Sequence, residues 1–127
     1  MKIPAELKYT KDHEWAQEQG GTITIGITDH AQSSLGDIVY LELPAKGRVL
    51  KKGETFGVVE SIKAVSDLYS PIDGKVVDIN EDLKNNPAQI NSDPYQKSWM
   101  IKVEAGKAAT GELMDSKAYE AYVKTLS

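Results

Sequence analysis

The stretch most suited to chemistry is Glu60-Ser61-Ile62-Lys63-Ala64-Val65-Ser66-Asp67-Leu68-Tyr69-Ser70-Pro71-Ile72-Asp73-Gly74. It sets one lysine between two β-prone runs and follows it with a proline-containing turn and a glycine. That arrangement puts Lys63 at a hairpin tip, in water. A solvated alkylammonium is almost wholly protonated at neutral pH, so it becomes a nucleophile only when a modifying enzyme takes up its proton. Such an enzyme has to recognise the shape of the hairpin. An exposed turn lysine is ordinary by itself, and its meaning rests on the residues around it.

Other candidates fall away on inspection. His13-Glu14-Trp15-Ala16-Gln17 begins like the zinc-protease pattern H-E-x-x-H, but its fifth residue is Gln17 and no third ligand follows, so no metal site is read. His30 has no serine or cysteine arrangement beside it and receives no catalytic role. Cysteine is absent, which removes disulfides, thiolate nucleophiles and sulfur ligands together. Any sulfur chemistry must come from an attached group. The glycines never form a phosphate-cradling pattern. A formal net charge of -4 with scattered lysines argues against nucleic acid as a partner. No apolar run approaches the roughly 20 residues that span a bilayer, so no membrane association is expected.

The frame for the hairpin is one domain over residues 1–127, since this length buries one core and not two. Apolar residues at 40% and charged residues at 27% are those of a globular chain. Alternation predicts strands at 14–17, 22–27, 37–43, 55–60, 65–70, 75–79 and 99–103. A short internal helix is expected at 28–35, capped by Thr28 or Asp29 and leaving through Gly36. Asn85-Asn86-Pro87 and Asn91-Ser92-Asp93-Pro94 read as loops. Leu113, Ala118, Tyr119, Tyr122, Val123 and Leu126 recur at helical spacing, giving a C-terminal helix at about 115–126 folded back on the body. A weak duplication relates 49–59 to 76–90, each as strand, polar turn and strand about Lys63.

With these residues in view a family likeness emerges. Glu60-Ser61-Ile62-Lys63-Ala64, Ser70-Pro71 and Gly74 resemble the lipoyl-attachment hairpin of the biotinyl/lipoyl carriers, with Lys63 matching the modified lysine and the hairpin region spanning about 56–79. Biotin carriers usually flank that lysine with methionines, whereas Lys63 lies between Ile62 and Ala64. Tyr9-Thr10-Lys11-Asp12-His13-Glu14-Trp15, Gly26-Ile27-Thr28-Asp29-His30-Ala31-Gln32, Leu35-Gly36-Asp37-Ile38-Val39, Leu41-Glu42-Leu43-Pro44 and Ile90-Asn91-Ser92-Asp93-Pro94-Tyr95 resemble the glycine cleavage system H proteins over nearly the whole chain. Lipoyl domains of 2-oxoacid dehydrogenases are shorter, and lack the His13-Glu14-Trp15 region and the C-terminal helix.

The resemblance implies a mostly β fold, the barrel-sandwich hybrid of lipoyl domains, with two small sheets and quasi-symmetric halves, a short internal helix and a C-terminal helix. It implies a non-catalytic carrier with lipoate covalently attached to Lys63 as a lipoyl-lysine. The carrier would take the aminomethyl group of glycine from a decarboxylating glycine dehydrogenase to an aminomethyltransferase, and then be reoxidised by dihydrolipoyl dehydrogenase. Enzymes that attach lipoate are further partners, and a monomer suits such a shuttle. The alternative is a lipoyl reservoir that relays lipoate to other complexes; it uses the same Lys63 and differs only in partners. By the same resemblance Glu14, Asp67 and, less directly, Asp12 hold the loaded arm, whose amine is cationic near neutral pH. Glu60 and Gly74 match positions read by the lipoate-attaching enzymes, Gly74 also being suited to its turn. A bacterial-type protein without a targeting segment is cytoplasmic, and a mature organellar form reads the same way.

Overall fold

In the strand Thr22–Ile27 the isoleucines at 23, 25 and 27 are all buried, and this strand anchors the larger of two sheets. The computed structural model describes residues 1–105 and 110–126. In chain order the elements are β1 (Lys8–Tyr9), β2 (Glu14–Gln19), β3 (Thr22–Ile27), α1 (Asp29–Leu35), β4 (Ile38–Glu42), β5 (Val49–Leu50) and β6 (Thr55–Ser61). They continue with β7 (Val65–Tyr69), β8 (Gly74–Ile79), α2 (Glu81–Asn85), α3 (Gln89–Ser92), β9 (Ile101–Glu104) and α4 (Ser116–Lys124). One sheet has the order β1-β2-β3-β9-β8-β5 and the other β4-β6-β7, with every pairing antiparallel. This is the mostly β, two-sheet architecture of a barrel-sandwich hybrid.

The core follows from the alternation. Ile23, Ile25, Val76, Ile101 and Val103 from the larger sheet join Ile38, Leu41, Phe56, Val59 and Leu68 from the smaller one in a single cluster. Each fully buried side chain of this kind is worth about 1.5–3 kcal/mol relative to exposure, so the pattern that predicts the strands also holds the sheets together. A second cluster gathers Leu7, Tyr9, Trp15 and Tyr119. There Tyr119 of α4 stacks on Tyr9, with ring centroids 4.6 Å apart and planes 11° from parallel.

Capping fixes the helices as the side chains suggest. Thr28 Oγ1 accepts from Ala31 N at 3.2 Å to start α1, and Asp115 Oδ1 accepts from Ala118 N at 2.8 Å to start α4. The C-terminal helix occupies the middle of the predicted 115–126. Gly36 ends α1 with φ 83°, a conformation that favours glycine.

Two sequence expectations are corrected. The stretches read as loops at Asn85–Pro87 and Asn91–Pro94 begin inside helices: α2 ends at Asn85 and α3 at Ser92, and both helices are too short to show a period in the sequence. The proposed duplication fails, because Val76 is followed by these helices instead of a second strand. Among the described residues, no helix is long and apolar enough to cross a membrane.

Candidate functional site

Two antiparallel strands, β6 and β7, meet at Glu60 and Val65 and leave Ser61 to Ala64 as the connecting turn. Ser61 N donates to Ala64 O at 2.8 Å, and Ser61 Oγ accepts from Ala64 N at 3.1 Å and Lys63 N at 3.3 Å. The hydroxyl thus takes the place of a backbone acceptor and closes the turn locally. Sequence reasoning missed this role, although a serine two residues before a turn lysine is the signal that could have revealed it. Lys63 is exposed, as are Ile62 at 73% and Val65 at 68%.

The turn does not stand free of the body. Ile62 N donates to Asp37 O at 3.1 Å, joining it to the corner between α1 and β4. A methyl group built on Gly36 would lie 3.3 Å from Lys63 Cε and 3.8 Å from its Nζ. The lysine stem therefore rests over a glycine whose missing side chain makes room for it.

Glu60, half-buried, lies opposite Tyr40 on β4 and Val65 on β7. Asp67 is exposed on β7 opposite Val58. The segment 56–79 spans both sheets: the hairpin pair ends at Tyr69, and Gly74 opens β8 in the larger sheet. Gly74 is not needed for a positive-φ turn, as its sequence context suggested. A Cβ there would meet Glu104 O at 2.6 Å and would overlap Val103 Cγ1, so glycine is required for the close approach of β8 to β9.

Glu14 presents a different environment from that of a solvated strand acid. It is 2% exposed, with Oε1 accepting from Thr10 Oγ1 at 2.7 Å and Oε2 accepting from Tyr69 N at 3.4 Å. Burial pushes its carboxyl up to about 7; the Thr10 hydroxyl opposes that rise, nearby Asp12 adds to it, and the Tyr69 amide opposes it. Glu14, Thr10 and Asp12 line a cavity of about 310 Å³ together with Ser70, Pro71 and Met114. Asp67 is not among the residues lining it. The structure thus brings Glu14 and Asp12 to one cavity and leaves Asp67 on the outer hairpin face.

His13 and Glu14 diverge despite their adjacency. His13 has φ 69°, and its Nδ1 lies 2.8 Å from the Tyr119 hydroxyl, which in turn lies 2.8 Å from Thr28 Oγ1. The His13 and His30 rings are 4.4 Å apart. Burial, then the charge of His30, lowers the pKa of His13. This pair links the β1–β2 turn to α1 and α4.

Comparison with known proteins agrees with this geometry. The glycine cleavage H-protein family model matches residues 7–126. The glycine cleavage system H protein of Anaeromyxobacter sp. (strain K) is 54% identical over 125 residues, covering 98% of each chain. That of Myxococcus xanthus is 51% identical over 124 residues, covering 96% of this chain and 95% of its own. The crystal structure of a glycine cleavage system H protein from Mycobacterium marinum superimposes with a TM-score of 0.89 at 38% identity, covering 96% of this chain and 99% of the other. The chain therefore belongs to the glycine cleavage H-protein family, the lipoyl carriers that shuttle intermediates in the glycine cleavage system.

Proposed function

We propose that Lys63 is the lipoyl attachment point and that this chain, without catalytic groups of its own, presents the group in turn to a decarboxylating glycine dehydrogenase, an aminomethyltransferase and dihydrolipoyl dehydrogenase. The observation that carries this reading is the exposed Lys63 on a Ser61-closed turn, its stem over Gly36. The residues present fit the group: Gly36 leaves space for the stem, and the exposed tip leaves the amine open to an attaching enzyme. When bound, a lipoyl group would supply a strained cyclic disulfide able to take the aminomethyl carbon on one sulfur as the pair is reduced, leaving, once that carbon is removed, a dithiol for the dihydrolipoyl dehydrogenase to reoxidise.

The chain's own residues do the rest. Ser61 holds the turn; Glu60 and Gly74 serve recognition by lipoate-attaching enzymes, Glu60 through its charge beside the turn and Gly74 by keeping β8 against β9. Glu14 and Asp12 are the carboxylates that would hold a cationic amine in the cavity they line, partly shielded from water. A cation drawn next to the buried Glu14 favours its carboxylate form, so arrival of the amine and loss of the Glu14 proton are coupled. Asp67 contributes charge from the outer face of the hairpin. Visiting enzymes meet a small, polar and transient interface. The bacterial relatives support a cytoplasmic setting.

Intact mass of the lipoylated protein, before and after glycine and the decarboxylating dehydrogenase are added, tests the proposal. A lipoyl increment on the wild type and none on Lys63→Arg, growing by an aminomethyl adduct with glycine, is expected. A lipoyl increment with no adduct would favour the reservoir function, and an increment that persists in Lys63→Arg would refute the attachment site.

A further inference from the structure

The corner beneath Lys63 is held from the far side by one side chain. Asn91 of α3 accepts from Ile38 N through Oδ1 at 2.9 Å. Its Nδ2 donates to Gly36 O at 2.8 Å and to Gln32 Oε1 at 3.0 Å. The amide therefore grips the residues on either side of Asp37. Asp37 O is the acceptor for Ile62 N, and Gly36 is the floor under the Lys63 stem. Asn91 thus fixes both points at which the corner touches the lysine turn, without touching Lys63 itself.

We infer that Asn91 is a positioning residue for the acylation of Lys63. This inference rests on the reading of Lys63 as the attachment point. In that step the neutral Nζ attacks the carbonyl carbon of an activated lipoyl acyl donor, forming the amide C–N bond. The bond to the leaving group breaks, the leaving group departs with its electron pair, and the amine's surplus proton passes to a base of the attaching enzyme. The acceptor has only its geometry to offer this reaction. A turn already fixed before docking loses less freedom when the enzyme captures it, so the effect falls on acceptor capture more than on turnover.

The sequence makes the dependence specific. Only an uncharged amide supplies an acceptor to Ile38 N and donors to Gly36 O and Gln32 Oε1 at once. Aspartate keeps the acceptor but sets a carboxylate oxygen against two other oxygens. Gly36 is equally constrained, since its φ of 83° and the nearness of Lys63 Cε both disfavour a methyl group.

The test is the rate at which a lipoate-attaching ligase, given lipoate and ATP, acylates wild type, Asn91→Asp, Gly36→Ala and Lys63→Arg. Intact mass gives the rates, and amide exchange is followed on the same samples. For Asn91→Asp and Gly36→Ala, kcat/KM is expected to fall by about tenfold, chiefly through KM for the acceptor. Exchange should quicken at Ile62, Lys63 and Ile38 while Ile23, Ile25 and Val103 stay as protected as in wild type. Acylation within twofold of wild type in both variants would overturn the role of Asn91. So would a lower rate accompanied by lost protection at Ile25 and Val103, because the effect would then be general unfolding. A wild type that is not acylated, or a Lys63→Arg variant acylated equally well, would overturn the Lys63 reading and this inference with it.

Discussion

Glu14 keeps its carboxyl out of water with the Thr10 hydroxyl and the Tyr69 amide as donors, and this has a measurable cost. Its folded-state pKa is raised from 4.5 to about 7, so between those values the native state binds more protons than the unfolded chain. The stability it confers is present in acid and is lost as pH rises through about 7. Glu14→Gln, which keeps an acceptor and cannot ionise, should match wild type near pH 4.5 and exceed its stability at pH 8 by up to about 3 kcal/mol. Urea unfolding of both proteins across this range measures the difference, and parallel pH profiles would rule the mechanism out. The sequence singled out Glu14 but suggested nothing of its burial, which depends on β1, β2 and β7 meeting. Lys63 and the glycines at 36 and 74 were also legible as types. The physical need for Gly74 was not, because the Glu104 carbonyl that excludes a side chain lies 30 positions away in sequence and is adjacent only in the fold.

Strands longer than four residues were legible because alternation persisted long enough to declare a face. β1 and β5, with two residues each, carry no such pattern and are defined by their pairing with β2 and β8. Gly74→Ala should therefore act at the level of the β8–β9 pair: overpacking against Val103 and Glu104 should cost about 1–3 kcal/mol and lower the melting temperature. Ser61→Ala acts on the β6–β7 turn instead. It removes the acceptor of Lys63 N and Ala64 N, which can turn to water, so the loss should be about 1 kcal/mol with amide exchange speeding up at these two positions. A melting curve unchanged by Gly74→Ala, or unchanged exchange in Ser61→Ala, would contradict the respective assignment.

For the molecule as a whole, α4 is fastened through Tyr119, which stacks on Tyr9 and whose hydroxyl reaches both Thr28 and His13. Tyr119→Phe keeps the stack and removes the hydroxyl, and should destabilise the fold by about 1–2 kcal/mol in denaturant titrations. The helical spacing announced α4 but not this junction, which joins three distant parts of the chain. The small sheet has a further consequence, since β4 and β7 lie at its two edges. An open strand edge is a template on which another chain can extend the sheet. A shift of register between Ile38 and Tyr40 interrupts one edge, and Asp67 stands at the middle of the other. If two β7 strands paired antiparallel about this residue, their carboxylates would face each other directly. Like charges set directly opposite disfavour such a pairing, so Asp67→Val is expected to scatter more light over time than wild type, and equal scattering by the two proteins would contradict this reading of the edge.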